Sequence, residues 1–146
     1  MIRTLRWVLV IPMAVAGWFI AFAGAVTLHS LIWDFCPPEF QLSGMCTHPW
    51  ALMAEDALVW AGAFLSAVFV VAFATRTAPA YKSQTAIACF VIGLAAATWA
   101  YLETHALGAL IGACVGGLLA VILVVRKHGW RKKSPYGKYR QYELFI

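Results

Sequence analysis

The chain has 146 residues, of which 63% are hydrophobic and 12% are charged. Soluble domains carry about 25% charged and about 45–50% apolar residues, so this composition excludes a water-soluble globule, a disordered chain and a nucleic-acid-binding domain. The pI of about 9.2 reflects basic residues that lie outside the apolar stretches. The composition leaves one class, an integral membrane protein with a few helices.

Four apolar stretches are long enough to cross a bilayer, whose hydrocarbon core is about 30 Å thick and takes roughly 20 residues of helix. We expect spans over residues 7–33, 57–75, 85–101 and 106–125. The predicted fold is an all-α, integral membrane four-helix bundle formed by one domain, residues 1–125. A basic, aromatic tail over residues 126–146 follows it.

The distribution of charged residues predicts the orientation of the spans in the membrane. All 11 basic residues fall on one side of the predicted spans, and five of the six acids fall on the other. Lys and Arg near span ends resist translocation, so we expect the basic side, with both termini, to be cytoplasmic in a bacterial inner membrane. Residues 1–23 share features with a signal peptide, but the apolar run continues to Trp33, which predicts a retained helix.

The segment over residues 34–56 is the sizeable loop on the side opposite the termini. Its two cysteines, Cys36 and Cys46, are separated by nine residues, and thiols on an oxidising side of a membrane tend to pair. We therefore predict a disulfide, which contributes roughly 2–3 kcal/mol by closing a small loop. A redox-active pair is the alternative, but such pairs usually have the Cys-x-x-Cys spacing.

Several residues on the same side are of the types that bind zinc or copper. The candidate metal ligands are His29, His48, Glu55, Asp56, Glu103 and His105. Their spacing matches no metal motif, and a haem with two histidines would need His105 at the depth of His29. The alternative is that carboxylates begin a helix, where negative charge is favourable, and that the histidines are interfacial polar residues. We predict no cofactor, with zinc, copper or haem kept as an alternative.

We predict no catalytic residue. The central part of every span lacks Asp, Glu, Lys and Arg, and an ion-coupled transporter normally needs such a charge within the membrane. The sequence also contains no Ser-His-Asp pattern, phosphate loop or paired-carboxylate constellation.

Small residues recur every four positions on two spans, which places them on one helix face and lets another helix approach closely. The predicted packing residues are Gly17, Ala21, Gly108, Gly112 and Gly116. The sequence leaves open whether these faces pack within the bundle or dock a neighbouring subunit.

The tail has two parts of different character. Its basic part is expected to contact anionic lipid head groups, through Arg126, Lys127, Arg131, Lys132 and Lys133. Its last residues, 136–146, contain three Tyr and end in Leu-Phe-Ile. We expect either a tail on the membrane surface or a segment that docks on a partner.

Together these features predict a non-catalytic accessory, assembly or scaffolding subunit of a larger inner-membrane complex. It would dock through small-residue helix faces and the tail, with membrane lipids and a membrane protein, or copies of itself, as partners and with no nucleic acid. One alternative is a homo-oligomeric channel or facilitator for a small solute or ion. Another is a small metal- or redox-linked membrane enzyme that uses the His, Cys and carboxylate groups of the outer face.

Overall fold

The computed structural model describes residues 6–43 and 45–131, and within them the chain forms four long helices. The helices are α1 (Val10–Asp34), α2 (Pro49–Thr77), α3 (Lys82–Thr104) and α4 (Leu107–Arg131). Each contains a stretch long and apolar enough to cross a membrane. The chain is therefore an all-α integral membrane protein with four candidate spans, as predicted.

Prolines lie near the beginning of two helices. Pro12, two residues after the start of α1, has no N–H to donate, and Met13 N donates to Leu9 O at 3.1 Å. Residues 6–8 before α1 are also helical, so the candidate span extends from Arg6 to Asp34. Pro49 is the first residue of α2. Helix α2 thus starts well before residue 57, and the last eight residues of the predicted loop over residues 34–56 are helical.

The charged residues divide the bundle into two ends. The acidic end carries Asp34, Glu55, Asp56 and Glu103, and the basic end carries Arg6, Arg76, Lys82, Arg126 and Lys127. Helix α1 runs antiparallel to α2, because Gly17 lies against Phe69 and Ala25 lies against Gly62. Helix α4 runs parallel to α2, because Gly112 contacts Trp60 and Gly116, one turn later, contacts Phe64, which is also one turn later.

Helix α2 is the central element of the bundle. It packs extensively along α1 on one side and along α4 on another, and less closely against α3. Near the basic end a cluster of Val71, Ala86 and Ala120 joins α2, α3 and α4. Towards the acidic end α3 is largely exposed, with Trp99 at 70% and Leu102 at 64%. The bundle is therefore closed at its basic end and more open at its acidic end.

Candidate functional site

The loop between α1 and α2 is held by a disulfide and a short hairpin. Cys36 and Cys46 are bonded, with Cα atoms 5.9 Å apart, which confirms the predicted pairing. Two-residue strands, β1 (Gln41–Leu42) and β2 (Met45–Cys46), pair antiparallel. The Gln41 side chain donates to the Cys36 carbonyl at 2.9 Å.

Both cysteines are buried, and they pack together with Ala51 of α2. A catalytic disulfide has to be reached by another thiol. The buried pair therefore acts as a structural link between the loop and the start of α2. The hairpin itself was not predicted from the sequence, because strands of two residues leave no periodic pattern.

The six candidate metal ligands do not come together. His48 precedes α2 and accepts a hydrogen bond from Trp50 N at 3.4 Å, so its imidazole caps the helix. His105 lies in the turn between α3 and α4 with φ at 54°, and its N–H donates to Tyr101 O at 2.8 Å. Asp56 and Glu103 are exposed. Over residues 6–43 and 45–131, no three His, Cys, Asp or Glu residues lie close enough to hold a metal ion.

His29 and Glu55 are the two predicted site residues that the fold brings together. The imidazole Nδ1 lies 3.8 Å from the carboxylate Oε1, and the side chains are 53% and 26% exposed. His29 is five residues before the end of α1, about 7 Å along the helix axis. The two groups therefore lie close to the level at which the apolar part of the bundle ends.

The His29–Glu55 pair opens into a cavity of about 410 Å³ between α1 and α2, which we call the polar cavity. Apart from the pair, its walls are apolar: Ala25, Val26, Leu58, Val59, Gly62 and Ala63. Glu55, Val59 and Gly62 are spaced so that they lie on one face of α2. A helix face with a carboxylate at its end thus lines the cavity.

A second, deeper cavity of about 330 Å³ lies between α2, α3 and α4, and we call it the apolar cavity. Small residues of α3 form one wall, namely Gly93, Ala97 and Ala100, and Trp18 of α1 contributes to another. Ala63 is a lining residue of both cavities. The sequence analysis did not predict this cavity. The small residues repeated on α3 are a signal consistent with it, but they are equally typical of close helix packing.

The small-residue faces of α1 and α4 are occupied within the chain. A Cβ atom at Gly17 would lie 2.9 Å from the Phe69 carbonyl oxygen, and one at Gly112 would lie 2.6 Å from the Trp60 carbonyl oxygen. One at Gly116 would meet the Phe64 carbonyl, and one at Gly108 the Trp60 ring. Ala21 is also buried. These faces bring α1 and α4 against α2, and they are not open to a neighbouring subunit.

An apolar groove of about 460 Å³ runs between α1 and α2, and we call it the α1–α2 groove. It is lined by Leu28, Leu31, Ile32, Phe35, Trp50, Ala54, Ala57, Leu58 and Ala61. Phe35 is 75% exposed. All of these side chains are apolar. Phe35 and Trp50 lie further towards the acidic end of the bundle than the carboxylate of Glu55 does.

The predicted lipid-contact residues begin at the end of α4. Arg126 and Lys127 are exposed, and Arg131 is the last residue of the helix. Lys132, Lys133 and the aromatic end of the tail lie outside the described residues.

Comparison with known proteins gave no match to any family model, curated protein or solved structure.

Proposed function

We propose that this chain is a non-catalytic accessory, assembly or scaffolding subunit of a larger complex in a bacterial inner membrane. Its basic end faces the cytoplasm in this proposal, because Lys and Arg near span ends resist translocation. The acidic end and the disulfide-bonded loop then lie on the oxidising side, where disulfides form and persist.

The observation that carries the proposal is the position of the α1–α2 groove. Phe35 and Trp50 lie five or more residues beyond His29 and Glu55, about 7 Å or more along the helices. Lipid chains end near the level where polar residues begin, so they do not cover this part of the groove. Exposed apolar patches mark contacts with another protein or with the membrane, and the proposal takes this one as a protein contact. The groove is therefore proposed as the docking surface for a partner membrane protein.

The proposal no longer includes docking of a partner on the small-residue helix faces. The faces at Gly17, Gly112 and Gly116 contact α2 of the same chain. The channel alternative relied on these faces to gather copies around a pore, so it is also weakened. The metal-enzyme alternative lacks a group of three ligands within the part of the chain that the structure describes. The aromatic end of the tail stays a predicted second contact.

Native mass spectrometry after extraction in mild detergent tests the proposal, with a tag on the tail. We expect a second membrane protein in stoichiometric amount, bound to the tagged chain. A closed homo-oligomer with no other protein would overturn the proposal in favour of a channel, and flux measurements in proteoliposomes would then follow.

A pair of matched variants locates the contact. Ala57→Phe puts a large ring in the α1–α2 groove, whereas Ala95→Phe puts the same ring on an exposed face of α3. Overpacking a close contact costs about 1–3 kcal/mol, so Ala57→Phe should weaken partner binding by about 5–150-fold. Equal retention of the partner by both variants would show that the groove is not the contact.

A further inference from the structure

The acidic end of the α1–α2 groove is built around the disulfide. Phe35 lines the groove just after the end of α1, and it directly precedes Cys36 in the chain. Trp50 lines the groove from α2, and it directly precedes Ala51. Ala51 is fully buried and packs with Cys36 and Cys46. Each groove aromatic is therefore joined through the backbone to a member of this buried group, which we call the disulfide cluster.

A third groove residue contacts the disulfide cluster directly. Ile32 lines the α1–α2 groove, and its side chain also packs against the disulfide cluster. It lies three residues before Phe35, which places both residues on one face of the chain as it leaves α1. The groove wall formed by α1 and the first turn of α2 thus meet at the disulfide.

Little else fixes the distance between the two aromatic residues. Phe35 and Trp50 are both exposed, so no packed core holds their rings. The groove between the helices leaves about 460 Å³ unfilled, and the hairpin beside it has strands of only two residues each. Two-stranded hairpins are marginally stable by themselves. The relative position of Phe35 and Trp50 therefore depends on the covalent link between the helix ends.

We propose that the Cys36–Cys46 disulfide positions the docking surface, by holding Phe35 and Trp50 at the separation that the partner contacts. This inference rests on the proposed function and adds what keeps the docking surface in shape. A surface that is ordered before binding loses less conformational entropy when the partner arrives, and it binds more tightly for that reason. The disulfide thus contributes to partner affinity as well as to the stability of the folded chain.

Hydrogen exchange of the full-length protein in mild detergent tests the ordering of this end without a partner. The probes are two amides, Phe35 N–H, which donates to Leu31 O at 3.2 Å, and Ala51 N–H, which donates to His48 O at 2.9 Å. In the disulfide-free variant, with Cys36→Ser and Cys46→Ser, both should exchange at least about tenfold faster, because local opening costs less without the link.

Gly116→Ala is the matched control for a loss of overall stability. Gly116 contacts Phe64, on the side of α2 that faces α4, and it lines no part of the α1–α2 groove. This variant should leave the exchange of the Phe35 and Ala51 amides unchanged. Unchanged exchange in the disulfide-free variant, or equal acceleration in both variants, would overturn the proposal.

Native mass spectrometry of the tagged complex tests the effect on docking. The disulfide-free variant should bind the partner at least about tenfold more weakly, since the partner then has to order the groove end itself. Gly116→Ala should bind it as the wild type does. A partner held equally by the wild type and the disulfide-free variant would overturn this inference alone. A wild-type chain without any partner would overturn the proposed function and this inference with it.

A cut loop keeps the test decisive if the disulfide-free variant fails to fold. A protease site inserted after Ser43 lies between Cys36 and Cys46 in the chain, so cleavage leaves the two pieces joined by the disulfide. Non-reducing electrophoresis checks that they stay joined. We expect the cleaved protein to keep its partner and the slow exchange of the Ala51 amide. Loss of both on cleavage would show that loop continuity positions the groove, and it would refute the role of the disulfide.

Discussion

Gly116 is a residue at which α4 and α2 come into backbone contact. A Cβ atom there would meet the carbonyl group and Cα of Phe64, and these are backbone atoms that cannot rotate away. Gly24 on α1 differs, since a Cβ at that position would meet no atom within 4 Å among the described residues. The two glycines therefore have different physical roles, although both lie within helices.

Gly116→Ala should destabilise the protein, whereas Gly24→Ala should not. Overpacking a close contact costs about 1–3 kcal/mol, while replacing Gly by Ala in an open helical position favours the helix by up to about 1 kcal/mol. Unfolding of both variants and the wild type in the same detergent measures the difference. Equal stability of the two variants would contradict the close packing of α4 on α2.

At the scale of the elements, the loop between α1 and α2 depends on local links. The Cys36–Cys46 disulfide closes a short loop, and Thr47 N donates to Phe40 O at 2.9 Å beside the hairpin. Helix α2 starts directly after it, at Pro49 with His48 as its cap. The loop therefore connects the acidic ends of two antiparallel helices through a rigid segment.

Removing the disulfide with Cys36→Ser and Cys46→Ser together should lower the free energy of unfolding by about 2–3 kcal/mol, because the unfolded chain gains loop entropy. Thermal or denaturant unfolding measures this loss. Cys89→Ala with Cys114→Ala, which removes the two free cysteines, is the control that should cost less than opening the loop. Alkylation of Cys36 and Cys46 in non-reduced membranes would contradict the disulfide.

At the scale of the whole bundle, the described basic residues lie at one end and the described acidic residues lie at the other. Between these ends the surface is apolar, and in the most apolar stretch of each helix 11–22% of the residues are buried inside the chain. Such a surface is stable in lipid and unstable in water. The proposal places the two ends in two aqueous compartments.

The proposed orientation makes a prediction at this scale. A fluorescent protein fused after Ile146 should fluoresce in cells, and alkaline phosphatase fused there should be inactive, because that enzyme needs disulfides that form outside the cytoplasm. Phosphatase fused after Ser43, in the acidic-end loop, should be active. The reverse pattern of activities would place the acidic end in the cytoplasm and overturn the orientation.

The number of spans and the disulfide could be predicted from the sequence, because both depend on local properties. Apolar length determines a span whatever its neighbours are, and two cysteines in a short loop have few other partners. The start of α2 was predicted less well, since Glu55 and Asp56 end the apolar run although the helix continues to Pro49. Charge marks the edge of the membrane, and a helix can extend beyond it.

What only the tertiary structure decided is which residues meet. The sequence places His29 on the same side as Glu55, Asp56 and Glu103, and helix packing brings it beside Glu55. The glycines of α4 could have contacted another subunit, but they contact Trp60 and Phe64 of α2. Apolar side chains in a membrane have no directional preference among neighbours, so the pairing of faces follows from the shapes of all four helices together. The polar cavity, the apolar cavity and the α1–α2 groove follow from that pairing as well.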